Sequence, residues 1–348
     1  MSNNLFNLDS AMSEFVAKSK DAVNELQKID TCLKHIQQTD KSLSDSDLVN
    51  IGTQAYEIAE KYGKSVTEYL SCVETLSKSG YQNAASLAEL VFALQSAGNL
   101  TSDLSQQYVI ATANAYSLDS NIQALNQSLD GANNISNLNA VSLSDLAEGM
   151  SIIASQAASA GIQIDEVTAA LGTMTSTTQL SGTETAAAFR SILASLNSLS
   201  SDGQNPMEQL QAMSQLTPQS SLRSNLYNSL STDDERTALN ALLNNWSLYE
   251  KMIQDYSNAS GSITTDAIPN TNTWESAISR LSTSFTKLID SFTNQDVIID
   301  ATNALTHLLD LIAKTGPVGA IGFTGLSVGI TAFMKNLDYP VRLYGYGA

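Results

Sequence analysis

Apolar residues near the start of the chain recur at Phe15, Ala22, Leu26, Ile29, Leu33 and Ile36. This three-and-four alternation marks one face of a helix and predicts a long N-terminal helix over 12–36. A polar break from Gln38 to Ser46 follows, then an apolar-periodic segment from Leu48 to Tyr62. Gly63 stops it, glycine being the residue most easily placed in the left-handed conformation. Ser65 and Glu68 have the spacing of a capping box. The same grammar repeats with a helix over 66–78 stopped near Gly80, one over 84–97 stopped at Gly98, and another opening at Thr101. Ser142 with Asp145 opens a helix from Leu143 to Ala160 that Gly161 ends, and Asp165 and Glu166 open the next. Ser181, Gly182 and Glu184 stop that helix and start one running to about Leu199. With Gly63, Gly80, Gly161 and Gly182 all read as helix stops, the two halves look alike. Internal duplication and the common reuse of cap residues explain this equally well.

The pattern changes after Leu199. Ser200 to Ser221 is polar, carries Pro206 and Pro218, and reads as a connector. Thr232 followed by Asp233, Asp234 and Glu235 is a strong helix start. The stripe beyond it, Leu239, Leu242, Trp246, Tyr249, Ile253 and Tyr256, has the 3.5-residue period of a coiled coil. After a polar loop from Asn258 to Asn272, the residues Trp274, Ile278, Leu281, Phe285, Leu288 and Phe292 alternate four and three without a miss. A further stripe, Ile298, Ala301, Leu305, Leu308 and Ile312, ends at Lys314, Gly316 and Pro317. Between Lys314 and Lys335 there is no charge, and Gly319, Gly322, Gly325 and Gly329 punctuate an apolar run. That run is marginally long enough for a bilayer, and its small residues suit close helix packing. It therefore admits three readings: host membrane contact through 316–334, a packed assembly or core segment, or an apolar linker. The expected fold is all-α, a multi-helix bundle core flanked by long amphipathic, coiled-coil-like helices. Its expected divisions are 1–44, 45–200, 201–262, 263–314 and 315–348.

Charge narrows the function. Charged residues make up 15% of the 348 positions and the net charge is −18. No Lys, Arg or His occurs from Ser79 to Phe189, so residues 79–189 cannot neutralise phosphates, and nucleic-acid or anionic-membrane contact through them is disfavoured. Two cysteines are too few for a disulfide framework, and the first 25 residues lack the apolar core of a signal peptide. Cys32 and His35 lie three apart on one face but have no second ligand pair nearby. His307 flanks an apolar stripe. Asp45-Ser46-Asp47 begins like a calcium loop and then lacks the required Gly and Glu. Ser284 to Lys287 matches S-x-x-K by letter with no companion motif, and the Gly-rich run has no phosphate-loop signature. No catalytic residue, cofactor or metal is expected, and the chain reads as a non-enzyme.

The stretch "SLSDLAEGMSIIASQAASAGIQIDEVTAALGTMTSTTQLSGTETAAAFRSILASL" from Ser142 resembles the core domain of phage tail tape measure proteins. The resemblance lies in the Ala-rich helix before Ala160-Gly161, the Asp165-Glu166 pair, and Ser181-Gly182-Thr183-Glu184 before a helix with Arg190 and Leu193. Tyr62-Gly63 with Ser65 to Glu68, and "TWESAISRLSTSFTKLIDSF" at 273–292, resemble flanking parts of the family. What the resemblance implies is a helical ruler made in the host cytoplasm and housed in the tail lumen of a phage or prophage virion. It sets tail length during assembly and takes part in genome delivery. The implied partners are the tail tube protein, tail tip or distal tail proteins, tail assembly chaperones, and further copies of itself. A wholly helical chain of this size spans only about 520 Å. Family members are usually longer, which implies an N-terminal portion, with any peptidoglycan-cleaving domain outside this sequence. The competing readings are a helical scaffold or adhesion module, and a membrane-active effector built around 316–334.

Overall fold

The computed structural model describes residues 27–199 and 205–270, together with Thr283, and among these every regular element is helical. The start of the expected N-terminal helix, the seam Trp274–Phe292, the stripe after it and the Gly-rich run all lie outside the described residues. The chain divides into two compact units, 75–271 forming one and the residues on either side of it the other.

In the first unit, helix α1 (27–39) is followed by α2 (Asp45–Tyr62) and α3 (Val66–Lys78), the last crossing the division. The expected cap at Ser65 is present, and another stands at Ser44, inside what reads in sequence as a polar break, so that α2 starts at Asp45 rather than Leu48. Ser44 accepts from the Asp47 N–H at 3.2 Å while the Asp47 carboxylate accepts from the Ser44 N–H at 2.9 Å. Asp47 thus serves a capping box, and its carboxyl is held below the usual range by the Ser44 hydrogen bonds. Ser65 and Glu68 form the second box, at 3.1 and 3.2 Å. Ile36, Ala55, Ala59, Tyr62, Tyr69 and Leu70 are buried, and Leu33 lies against Gly52, setting α1 on α2.

The second unit runs through α4 (Ala84–Gly98), α5 (Ser102–Ala115), α6 (Ile122–Leu138), α7 (Leu143–Ser159), α8 (Ile164–Thr178) and α9 (Gly182–Leu199). It continues through α10 (Pro206–Ser214), α11 (Ser221–Ser229), α12 (Asp233–Asn244), α13 (Trp246–Ser257) and α14 (Ser262–Asn270). Helix α7 packs between α5 and α9, while α8 packs against α12 and α13. Helix α4 packs against α5, α6 and α14. It is apolar on most sides, with Leu87, Val91, Phe92 and Leu94 all 1% exposed or less, as a helix with neighbours all round should be.

Three of the four glycines read as helix stops have left-handed backbone beyond a helix end: Gly63 at φ 63°, Gly80 at φ 91° and Gly161 at φ 76°. Gly182 differs. It is the first residue of α9 and lies outside the left-handed region; α8 ends instead at Gln179, φ 63°. A Cβ on Gly182 would lie 2.0 Å from the Asp145 carbonyl oxygen, so this glycine lets the start of α9 touch the backbone of α7. Gly98 likewise belongs to α4, which ends at Asn99, φ 51°. A Cβ on Gly98 would meet Leu100 at 2.1 Å and Leu143 at 2.7 Å. Glycine at a close crossing and glycine at a stop look the same in sequence. The match between the two halves loses its Gly80–Gly182 pair.

Beyond Leu199 the structure holds more helix than the polar composition predicts. Pro206 sits in the first turn of α10 behind the Asn205 cap, the place where a missing N–H does no harm. The single stripe expected across 239–256 breaks at Asn245 into α12 and α13. Its residues Leu239, Leu242, Trp246 and Tyr249 are buried, with α12 against α8 and α9 and α13 against α6 and α8. The apolar face of α12 and α13 is therefore covered from within the chain, in the manner of a bundle helix. The loop expected at 258–272 contains α14.

Candidate functional site: the polar edge of helix α6

Helix α6 carries an apolar stripe of Leu125, Leu129, Ala132 and Ile135, each 0% exposed, and beside it a row of Asp and Asn. Two groups of hydrogen bonds leave that row. In the first, the Asp130 carboxylate, 3% exposed, accepts from the backbone N–H groups of Gly261 and Ile263, both at 2.9 Å. The Ser262 hydroxyl donates to the Asp130 carbonyl at 2.9 Å. The Asn133 amide donates to Ser262 Oγ at 3.1 Å and to Asp266 at 2.6 Å, and Asn137 donates to the same Asp266 oxygen. Asp130 is thus the N-terminal cap of α14, supplied from another helix.

The second group holds α13. The Asn134 amide donates to the Asp255 carbonyl at 2.6 Å, and Asn139 donates to the Asp255 carboxylate at 2.9 Å. Lys251 Nζ donates to that carboxylate at 2.6 Å and to Asn139 Oδ1 at 3.1 Å. Burial pushes the Asp255 carboxyl up, but the Lys251 and Asn139 hydrogen bonds and the Lys251 charge outweigh it and leave the group below its usual range. Gly131 completes the arrangement, because a Cβ there would lie 2.4 Å from the Tyr256 ring.

Close by, tyrosines and carboxylates share one region. Burial pushes the phenols of Tyr108, Tyr116, Tyr249 and Tyr256 upward, and the Asp165 and Glu166 charges add to this at Tyr116 and Tyr249. Glu166 is raised above the carboxylate range by burial, with Asp165 and Glu208 repelling its charge against one hydrogen bond from the Gln163 N–H. Such phenols stay protonated at neutral pH and act as packing groups with a polar tip.

The two residues weighed as metal ligands take part in helix packing. Cys32 Sγ lies 3.9 Å from Ser71 Oγ, and His35 Nδ1 lies 3.2 Å from Glu74 Oε1. Among the described residues no group of three or more His, Cys, Asp or Glu could hold a metal, and no helix is long and apolar enough to cross a membrane. His307 and Ser284 to Lys287 lie outside the described residues. The reading of the sequence missed the α6 row altogether. The one local signal was Asp130-Gly131, an isolated glycine inside a helical pattern, which marks a close approach.

Among the described residues the fold is all-helical, and polar side chains of α6 hold one helix to another. The model of the phage-related minor tail protein family matches residues 52–302, well over half the chain, and the protein belongs to that family. It is accordingly a component of a phage tail. No curated protein and no solved structure matches the chain.

Proposed function

We propose that this tail protein is the tape measure, a helical ruler in the tail lumen that sets tube length during assembly. The observation that supports the reading is the extent of the family match, which runs from the helical core through the seam Trp274, Ile278, Leu281, Phe285, Leu288 and Phe292. A ruler needs a stretch whose length counts, and residues 274–313 carry two consecutive helical stripes suited to extended helices. Residues 75–271 then form a compact head, and its partners are the tube protein, tip proteins, assembly chaperones and further copies of the chain. The role is structural, and no reaction is assigned to it. The glycines Gly319, Gly322, Gly325 and Gly329 belong to an apolar stretch that contacts other tail proteins or, on delivery of the genome, the host membrane.

The test is an in-frame deletion of residues 275–313 in the phage gene, with tail lengths measured by electron microscopy. These roughly 39 residues correspond to about 58 Å of helix, so tails should shorten uniformly by that amount. Intact tails of unchanged length would show that this segment does not measure, and would favour a scaffold that docks other tail proteins.

A further inference from the structure

Helix α14 is an unusual helix on three counts. Its sequence, Ser262-Ile263-Thr264-Thr265-Asp266-Ala267-Ile268-Pro269-Asn270, has three consecutive residues of low or modest helix propensity after its first position and a proline near its end, and it reads as loop. At nine residues it is also shorter than the roughly 12–15 at which isolated helices become even marginal in water. The group that answers its first-turn N–H donors, the Asp130 carboxylate, comes from a residue 131 positions from Gly261. The helix exists because it is docked.

The docking has two parts. Ile263 and Ala267, both 0% exposed, provide the apolar part, in a helix that packs on α4 and α6. The polar part is the hydrogen-bond set from Asp130, Asn133 and Asn137 to Gly261, Ser262, Ile263 and Asp266. Helix α13 is held separately, through Asn134, Asn139 and the Tyr256 ring on Gly131. Between the two helices lie only Asn258 to Gly261, the last at φ 64°. Removing α14 therefore leaves the attachments of α13 intact.

We propose that residues 258–270 form a latch: α14 is helical only while the α6 row caps and holds it, and it leaves the core as a unit while α6 to α9 stay folded. Its release turns about 13 residues into open chain, which fully extended spans about 40 Å between the core and the segment that follows. The exposed apolar face of α4 favours reclosure. The latch does not depend on the tail-length reading.

Hydrogen exchange by mass spectrometry on the full chain tests it, comparing peptides over 258–270 with peptides over α8. In the unaltered protein α14 is expected to be protected, yet to exchange at least a hundredfold faster than α8. Asp266→Ala, at a half-buried position whose carboxylate accepts from Asn133 and Asn137 of the α6 row, should raise exchange of α14 about tenfold and leave α7 to α9 unchanged. Asp130→Ala should do the same more strongly, and if that variant does not fold, Asp266→Ala carries the comparison. Exchange of α14 in step with α8, an equal rise in both on Asp266→Ala, or the absence of any protection in α14 would each overturn the latch.

Discussion

Gly182→Ala separates the two roles a glycine can have at a helix junction. At this position an added methyl would sit 2.0 Å from the Asp145 carbonyl oxygen and 2.7 Å from its carbonyl carbon and Cα. All three are backbone atoms, so no side chain can swing away, and the start of α9 must move off α7 by more than 1 Å for an ordinary contact. The same movement lengthens the hydrogen bond from the Gly182 N–H to Asp145 Oδ1, now 3.1 Å. Overpacking of this kind costs about 1–3 kcal/mol, set against a gain of up to about 1 kcal/mol from replacing a helical glycine by alanine. The mid-range net loss of about 1–2 kcal/mol corresponds to a drop of about 2–8 °C in Tm for a unit of this size. Gly161 is the control: it has φ 76° and nothing within 4 Å of a Cβ, so its substitutions are limited by backbone conformation alone. Asparagine tolerates left-handed backbone better than alanine, so at Gly161 the Asn variant should be the more stable. At Gly182 the order should reverse, the larger side chain being worse. Thermal and urea unfolding would be followed by Trp246 fluorescence in a Trp274→Phe background, which leaves Trp246 as the single tryptophan of the chain. The same order of Asn and Ala at both positions, or a neutral Gly182→Ala, would refute the close-crossing argument.

Other consequences follow from individual groups. Glu166 has a folded-state pKa above its unfolded value, so its stabilising contribution is full below the ordinary carboxylate range and is lost as pH rises through the higher folded value. Glu166→Gln should therefore stabilise the protein at pH 7, and melting curves between pH 4 and 7 should show the gain vanishing at the acid end; a gain independent of pH would contradict it. Asp255 has the opposite sign, and Asp255→Asn should destabilise at pH 7 and matter least in acid. Thr232→Ala removes the acceptor for the Glu235 N–H at 3.2 Å and should cost about 1 kcal/mol, read by urea titration. Burial pushes the Cys72 thiol up to about 12, so a thiol reagent at pH 8 should label half-buried Cys32 in the folded protein and reach Cys72 only on unfolding. In a peptide over 274–313, replacing Phe285 and Leu288 by Asp should abolish self-association in analytical ultracentrifugation; unchanged association would remove the coiled-coil basis of the seam.

Local chemistry carried most of the helices into view. The boundaries of α3 and α7, the boxes at Ser65 and Thr232, and the left-handed stops at Gly63, Gly80 and Gly161 depend on residues within a few positions of one another, and such interactions can be read along the chain. The roles of Gly98 and Gly182, the break at Asn245 and the helix at 262–270 could not be read that way. All but the Asn245 break involve a partner far along the chain: Leu143, beside the local Leu100, for Gly98, Asp145 for Gly182, and Asp130 for α14. The stripe over 239–256 has the period of a coiled coil whether its partner is another chain or, as the structure has it, α6, α8 and α9. Periodicity tells that a face will be buried, because that follows from the helix repeat and the hydrophobic effect. What buries it depends on which faces meet in three dimensions, and that choice rests on packing that no local pattern contains.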